Sequence, residues 1–185
     1  MSNHDPVKLP TRAFVGLGAN LGDSRATLAS AVRELAAMPE TRLTGLSSLY
    51  RSAPVDAQGP DFLNAVAQLM TGLQPMALLK CLQAIETRHG RLRPYRNAPR
   101  SLDLDLLLHG EHQLEHAQLQ LPHPRMHQRA FVMVPLAELQ PGLILPGLGA
   151  LSELLDRCPP QSIERLAGPD ALLEGAGALV PVQHA

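Results

Sequence analysis

The sequence predicts an α+β protein, a ferredoxin-like βαββαβ sandwich in which helices pack on a mainly antiparallel sheet. Short apolar segments of strand character alternate with two longer segments in which apolar residues recur at helical spacing. Glycine- and proline-rich turns separate these segments, so their order along the chain can be followed from the sequence. A chain of 185 residues is long enough to bury one sizeable core, and we therefore expect a single domain spanning 1–185.

The first strand is predicted at 12–20, where "RAFVGLGAN" ends in a glycine-rich turn. Asp23 or Ser24 can cap the helix that follows, because short polar side chains accept hydrogen bonds from the first free N–H groups of a helix. Leucine and valine recur at helical spacing until Pro39, which predicts one amphipathic helix.

Two more strands are predicted at 42–52 and 62–72, and the loop between them contains two prolines and a glycine. Pro75 is suited to the first turn of a helix, where its missing N–H would have no partner in any case. The apolar spacing then predicts a helix that runs to about His89. A fourth strand at 102–108 completes the βαββαβ order.

The remainder of the chain predicts additions to this core. A short hairpin leads into a polar loop marked by prolines, and 130–139 is expected to be helical despite Pro135. A further helix is expected at 151–157. The tail from about 159 is rich in proline, glycine and alanine, and we expect it to be loosely ordered.

Composition excludes some classes of function. A formal net charge of −1 provides no general attraction to nucleic acid or to an anionic membrane, and we expect neither as a partner. Cys81 and Cys158 form neither a disulfide framework nor a metal motif, which favours a reduced, cytoplasmic protein. The first residues lack the apolar core of a signal peptide, and no apolar run approaches the roughly 18 residues of a membrane span.

Asp103 and Asp105 interrupt a leucine-rich strand and are the first candidate site. Alternate side chains of a strand share a face, so both carboxylates point the same way with Cα atoms about 7 Å apart. Such a pair can hold divalent cations, and Mg²⁺ favours few protein carboxylates completed by water and substrate phosphates. The alternative is that both aspartates only occupy the solvent-exposed face of a half-exposed strand.

A group of arginines directly precedes this pair. Five of the fourteen arginines fall within thirteen residues, whereas the chain has only two lysines. Guanidinium groups bind phosphate oxygens in a planar, bidentate manner, so an arginine-rich loop beside a metal-binding pair suits a nucleoside triphosphate. The alternative is a solvated run of charges. The five residues are Arg88, Arg91, Arg93, Arg96 and Arg100.

Three short patterns that are typical of other functions can be set aside. Neither lysine completes a phosphate-binding P-loop, and "GLGANLG" at 16–22 places Leu21 where a dinucleotide-binding loop requires its third glycine. "HQLEH" at 112–116 matches a zinc-protease pattern, but that chemistry requires a helix and this segment lies between strand-like stretches.

Four separated motifs together resemble the 6-hydroxymethyl-7,8-dihydropterin pyrophosphokinase family of folate biosynthesis. They are "VGLGANLGD", "GPDFLNAV", "PRSLDLDLLLHG" and "LPHPRMHQRAFVMVPLAEL", and they occur in the family's order. The resemblance covers about 12–156, which we take as the core of the domain, and it assigns no role to the tail. It implies a Mg²⁺-dependent transfer of pyrophosphate from ATP to the hydroxymethyl group of the pterin, with release of AMP.

The resemblance also implies roles for individual residues. Two Mg²⁺ ions are expected on Asp103 and Asp105, and Arg91 and Arg100 are expected to assist the transfer. The residues expected to contact ATP are Gln83, Glu86, Arg93, Arg96, His123 and Arg129. Those expected to contact the pterin are Ser52, Pro54, Val55, Phe62, Asn64 and Phe131, with the two phenylalanine rings stacked on the flat heterocycle.

The sequence departs from the family at Asn97, Gln118 and Pro124, which bears on ATP affinity and loop closure. We expect a monomer that binds ATP and the pterin. Two other classes of function remain open. One is a simple Mg²⁺-dependent kinase that forms ADP, and the other is a non-catalytic module that binds a pterin, a nucleotide or RNA.

Overall fold

The computed structural model describes residues 10–55, 59–90 and 101–174. The main strands are β1 (Thr11–Ala19), β2 (Thr41–Leu46), β3 (Leu49–Ser52), β4 (Phe62–Thr71) and β5 (Asp103–His109). The shorter strands are β6 (Leu114–His116), β7 (Leu119–Leu121), β8 (Ile144–Leu145), β9 (Gly149–Ala150) and β10 (Ile163–Ala167). The helices are α1 (Ser24–Ala36), α2 (Pro75–Arg88), α3 (Ala130–Leu139), α4 (Leu151–Asp156) and α5 (Asp170–Leu173), and a 3-10 turn spans Met126–Gln128.

One antiparallel sheet organises the molecule, with the strand order β10-β3-β4-β1-β5 and β2 as a second partner of β4. The predicted α+β class, with helices packed on an antiparallel sheet, is confirmed. Both predicted helix starts are also present, since Asp23 accepts a hydrogen bond from the N–H of Ala26 at 3.0 Å and Pro75 occupies the first turn of α2.

The two faces of the sheet bury different residues. In β1, the side chains of Ala13, Val15, Leu17 and Ala19 point to the face covered by α1 and α2. Phe14 points to the opposite face, where it packs with residues of the 3-10 turn, α3 and α4. Gly16 and Gly18 follow Phe14 on that second face, so the sheet carries no β1 side chain there.

The second strand of the prediction is in fact two strands. The segment 42–52 breaks at Ser47 and Ser48, which are both buried. The hydroxyl of Ser47 accepts a hydrogen bond from the N–H of Val66 at 2.9 Å, and the N–H of Ser48 is turned to the carboxylate of Glu138. Side-chain oxygens therefore satisfy two backbone N–H groups at this point, and β2 and β3 each pair with β4.

The prediction of a loosely ordered tail from about 159 is wrong for the residues up to 174. Strand β10 pairs with β3, and α5 buries Leu172 completely in the main core. A proline- and glycine-rich composition lowers local propensity, but tertiary contacts supply the missing partners here. The remaining tail, 175–185, lies outside the described residues.

Among the additions after β5, the hairpin and the two helices that follow it agree with the prediction. A hairpin of β6 and β7 leads into the 3-10 turn, and α3 and α4 occur where helices were expected. The motif at 112–116 lies on a turn and on β6 and not on a helix, so it lacks the geometry that a zinc protease requires. Within the described ranges, no helix is both long and apolar enough to cross a membrane.

Candidate active site

A row of side chains crosses three strands on the face of the sheet that α1 and α2 leave open. Asn64 of β4, Gly18 of β1 and Asp103 of β5 are register partners, so their side-chain positions lie on one face. Neighbouring strands are about 4.8 Å apart, which places the Cα atoms of Asn64 and Asp103 about 10 Å from each other, with Gly18 between them. The next row contains Gly16 and Asp105.

Gly18 keeps this row open. A Cβ atom at that position would lie 3.6 Å from Oδ1 of Asn64, 3.9 Å from Cδ1 of Phe62 and 4.0 Å from Cβ of Asp103. Glycine inside a strand commonly marks a place where a ligand or another backbone approaches closely. The structure therefore brings Phe62, Asn64 and Asp103 around one small space, where β1 ends and where β4 and β5 begin.

The amide of Asn64 is fixed by its neighbours. Asn64 is buried, and its Nδ2 donates to Oγ of Ser52 at 2.9 Å and to the carbonyl oxygen of Phe62 at 3.4 Å. Pro54 is half-buried and Val55 is exposed, and both follow β3 directly. Ser52, Phe62 and Asn64 thus form one group of predicted pterin residues, with Pro54 and Val55 at its margin.

A second group surrounds Asp105. Its Oδ2 lies 3.5 Å from Nη1 of Arg129 and 4.0 Å from Nε2 of His123. The guanidinium carbon of Arg129 is also 5.5 Å from the centre of the Phe131 ring, which is a cation–π distance. The structure therefore joins Asp105, His123, Arg129 and Phe131, although these residues come from a strand, a loop and the start of α3.

The protonation state of His123 follows from its surroundings. Burial, followed by the charges of Arg129 and Arg125, lowers the pKa of His123 to about 4, while Asp103 acts in the opposite direction. His123 is therefore neutral near pH 7. Its Nδ1 faces the N–H of Arg125 at 3.3 Å, which makes Nδ1 the acceptor and assigns the ring proton to Nε2, on the side of Asp105.

Glu86 supports the aspartates from behind the strand. It is 2% exposed, and its Oε1 accepts a hydrogen bond from the N–H of Leu104 at 3.0 Å, between Asp103 and Asp105. A carboxylate there satisfies a backbone donor on β5, the outer strand of the sheet. Gln83, one turn earlier in α2, is exposed.

The chemistry of the donor set suits a magnesium ion. Asp103 and Asp105 are partly exposed carboxylates on one face of β5, and oxygen ligands that leave room for water and phosphate are what Mg²⁺ prefers. Within the part of the chain that the structure describes, no group of three or more His, Cys, Asp or Glu side chains is placed to hold a metal. Arg91, Arg93, Arg96 and Arg100 lie outside the described residues, and their roles stay predictions.

Gly18 is the site residue that the sequence reasoning missed. As a pattern, "GLGAN" predicts the end of a strand, an incomplete dinucleotide-binding loop and part of one family motif, but none of these assigns Gly18 itself to the site. The available signal was a pair of glycines at alternate positions, Gly16 and Gly18, inside a strand whose other residues are bulkier. Such a pair removes side chains from one face only, and that face carries the site.

Comparison with known proteins identifies the family. The family model described as 7,8-dihydro-6-hydroxymethylpterin-pyrophosphokinase (HPPK) matches residues 14–141. The 2-amino-4-hydroxy-6-hydroxymethyldihydropteridine pyrophosphokinase of Pseudomonas aeruginosa is 49% identical over 158 residues, covering 85% of this chain and 98% of that protein. The enzyme of the same name from Methylorubrum extorquens is 43% identical over 157 residues, covering 84% and 99%.

Solved structures show the same fold at low identity. A crystal structure of an HPPK-DHPS protein in complex with substrates has a TM-score of 0.67 at 11% identity and covers 80% of this chain. A Plasmodium falciparum HPPK-DHPS structure has a TM-score of 0.66 at 12% identity. This chain spans only 43% and 46% of those longer chains, so the likeness concerns the fold of one part of them. Sequence and fold agree: the chain belongs to the 7,8-dihydro-6-hydroxymethylpterin-pyrophosphokinase family.

Proposed function

We propose that this chain transfers a pyrophosphoryl group from ATP to the hydroxymethyl group of 6-hydroxymethyl-7,8-dihydropterin and releases AMP, as a step of folate biosynthesis. The observation that carries the proposal is the open row on the sheet. It combines an aromatic ring and a fixed amide at Phe62 and Asn64 with the carboxylates of Asp103 and Asp105. A flat heterocycle and a metal-bound triphosphate require these two kinds of surface side by side.

The pterin is proposed to bind at the Asn64 end of the row. Asn64 is held by Ser52, so its amide is oriented before a ligand arrives and loses little freedom on binding. Phe62 and Phe131 are proposed to stack on the heterocycle, an arrangement that aromatic faces favour when offset. Pro54 and Val55 are proposed to line the margin of this pocket.

The triphosphate is proposed to bind at the aspartate end. Asp103 and Asp105 would hold two Mg²⁺ ions, which when bound neutralise phosphate charge and lower the pKa of a coordinated hydroxyl. Arg129 would contact phosphate oxygens beside Asp105, and Gln83 and His123 would contact the nucleotide, His123 as a neutral hydrogen-bond donor. Glu86 would act mainly through the backbone of β5. Arg91, Arg93, Arg96 and Arg100 are proposed to reach the phosphates from the preceding loop.

Catalysis in this proposal is positioning and charge neutralisation. The protein holds the pterin hydroxyl and the β-phosphorus in line, and its cations offset the charge of the transferred group. His123 is a weak base because its pKa is about 4, so we do not assign it the hydroxyl proton. We also propose that the protein acts as a monomer in the cytoplasm, where its cysteines, Cys81 and Cys158, would stay reduced.

The test is the identity of the nucleotide product. The protein is mixed with Mg²⁺, ATP and 6-hydroxymethyl-7,8-dihydropterin, and we expect AMP whose formation depends on the pterin. The variant Asp105→Ala should lose at least about 100-fold in kcat, because removing a metal ligand removes charge stabilisation of the transition state. Asp156→Ala, in the exposed face of α4, is the matched control and should retain full activity.

Three other outcomes would contradict the proposal in different ways. Pterin-dependent ADP would identify a simple kinase. Binding of pterin or ATP without turnover would identify a non-catalytic module. Near-normal turnover in Asp105→Ala would reject the metal assignment while leaving the reaction intact.

A further inference from the structure

Helix α3 begins in an unusual way. Its N-cap residue is Arg129, and this side chain makes no capping hydrogen bond. N-cap positions usually hold Ser, Thr, Asp or Asn, whose short side chains accept from the first free N–H groups. The side chain of Arg129 is directed to Asp105 and Phe131 instead, so the start of α3 must find an acceptor elsewhere.

That acceptor comes from Gln161, which lies 31 residues later in the chain. Its Oε1 accepts from the N–H of Ala130 at 3.0 Å, and its Nε2 donates to the carbonyl oxygen of Gln128 at 2.7 Å. One planar amide therefore holds the backbone on both sides of Arg129. Two hydrogen bonds from a single rigid group fix the direction of the backbone there as well as its position.

Gln161 is itself anchored to the sheet. Strand β10 begins two residues later, and Ile163 is the register partner of Ser52 in β3. Nε of Arg165 donates to Oγ of Ser48 at 2.7 Å, and its Nη2 lies 3.8 Å from the carboxylate of Glu138. The amide of Gln161 is thus carried by a segment that is hydrogen-bonded to the strand beside the proposed pterin pocket.

We propose that Gln161 is a positioning residue that holds Arg129, and with it the first turn of α3, in the geometry required to bind the nucleotide. This inference rests on the proposed function, because it assigns Arg129 to the phosphates of ATP. It gives a role in that site to the C-terminal segment, which the family motifs do not include.

The geometry explains why the effect should be large. Nη1 of Arg129 is 3.5 Å from Oδ2 of Asp105, at the outer limit of a charge-assisted hydrogen bond. A shift of about 1 Å in the backbone of Arg129 would break that contact and change the direction of the guanidinium group. Loss of the Gln161 amide leaves the N–H of Ala130 and the carbonyl of Gln128 without these partners, which permits such a shift.

The test compares two variants in the same segment. Gln161→Met keeps the length of the side chain but removes both hydrogen bonds. Glu164→Gln in β10 is the control, because it weakens an exposed ion pair with Arg51 of β3 and leaves residues 128–130 untouched. Dissociation constants are measured by calorimetry in the full chain with Mg²⁺ and a non-hydrolysable ATP analogue, and separately with the pterin. Thermal midpoints are recorded alongside.

We expect Gln161→Met to weaken binding of the ATP analogue about tenfold. Glu164→Gln should bind within twofold of the wild type. Binding within twofold in Gln161→Met would overturn the proposal, as would equal weakening in both variants. If Gln161→Met does not fold, Gln161→Glu keeps the acceptor for Ala130 and loses the donor to Gln128, and it should show an intermediate loss.

A separate readout distinguishes failure of this inference from failure of the proposed function. The side-chain Nε–H resonance of Arg129, assigned with Arg129→Lys, should move in Gln161→Met and stay in place in Glu164→Gln. If the wild type binds no nucleotide but the resonance moves as described, the proposed function is wrong while Gln161 still positions Arg129. If the resonance stays in place in Gln161→Met, the positioning role is overturned.

Discussion

At the scale of single residues, the absence of a side chain at Gly18 gives the site its space. The nearest atoms to a Cβ there would belong to Asn64, Phe62 and Asp103. Asn64 and Asp103 are the two ends of the row. All three distances are ordinary van der Waals contacts, between 3.6 and 4.0 Å. A methyl group would therefore fit the folded protein and would occupy space in the proposed pterin pocket.

We predict that Gly18→Ala folds normally but raises the KM for the pterin about tenfold, the loss expected when a small group displaces part of a closely fitting ligand. The matched control is Gly16→Ala on the same strand and face, where the new methyl group meets the Leu107 side chain at 3.5 Å. Steady-state kinetics and thermal midpoints of both variants test this. A pterin KM unchanged in Gly18→Ala would mean that the pterin does not approach β1.

The carboxylate pair could be predicted residue by residue, whereas the long-range contacts around it could not. Alternation along one strand is enough to place Asp103 and Asp105 on the same face, and the structure agrees. Arg129 approaches Asp105 from 24 positions away, and Gln161 approaches Ala130 from 31. Such contacts depend on how the helices and strands pack together, and no local pattern in the sequence predicts them.

At the scale of elements, one polar group joins α3 to β3 and β10. The carboxylate of Glu138 accepts from the hydroxyl of Ser48 at 2.7 Å and from the phenol of Tyr50 at 2.9 Å, and Arg165 lies beside it. This carboxylate also accepts a hydrogen bond from the N–H of Ser48, which lies between β2 and β3. The break in the strand was difficult to predict, because its acceptor is supplied by a helix 90 residues away.

We predict that this link makes Tyr50 titrate abnormally. Burial, the hydrogen bond to Glu138 and its negative charge raise the pKa of Tyr50 to about 12, while Arg165 acts in the opposite direction. The folded state therefore keeps the phenol proton above pH 10, where the unfolded state loses it. The stabilisation is complete below pH 10 and is lost as the pH rises through 12.

Absorbance at the phenolate wavelength measures this directly. The chain has two tyrosines and no tryptophan, so the variant Tyr95→Phe leaves Tyr50 as the sole chromophore of its kind. Its titration should have a midpoint near pH 12, and Glu138→Gln should lower that midpoint. A midpoint near 10, with native circular dichroism retained, would contradict the burial and the hydrogen bond.

At the scale of the whole molecule, the two faces of the sheet differ: one packs against helices of the main core, and the other carries the candidate site. One face is covered by α1 and α2, and its apolar residues were largely evident from helical and strand periodicity. The other face is covered by α3 and α4 below the open row of site residues. The C-terminal segment crosses this division, since β10 extends the sheet while α5 packs on α1. Its composition did not predict these elements, because proline and glycine lower local helix and strand propensity without preventing tertiary contacts.

We predict that the C-terminal segment is part of the same cooperative unit as the rest of the core. Leu172 of α5 is 0% exposed and belongs to the cluster that includes Leu28 and Leu35 of α1. Leu172→Ala should therefore lower the free energy of unfolding by about 3.5 kcal/mol, the middle of the range for buried leucines. Leu166→Ala in β10 removes the same atoms from a side chain that is 41% exposed and should cost less than about 1 kcal/mol.

Urea denaturation followed by far-ultraviolet circular dichroism measures both variants. A single transition that moves to lower urea in Leu172→Ala, with an unchanged slope, would show that α5 unfolds together with the sheet. An unchanged midpoint would mean that α5 opens independently of the core. In that case β10 would have to hold Gln161 in place through its pairing with β3 and the contacts of Arg165 alone.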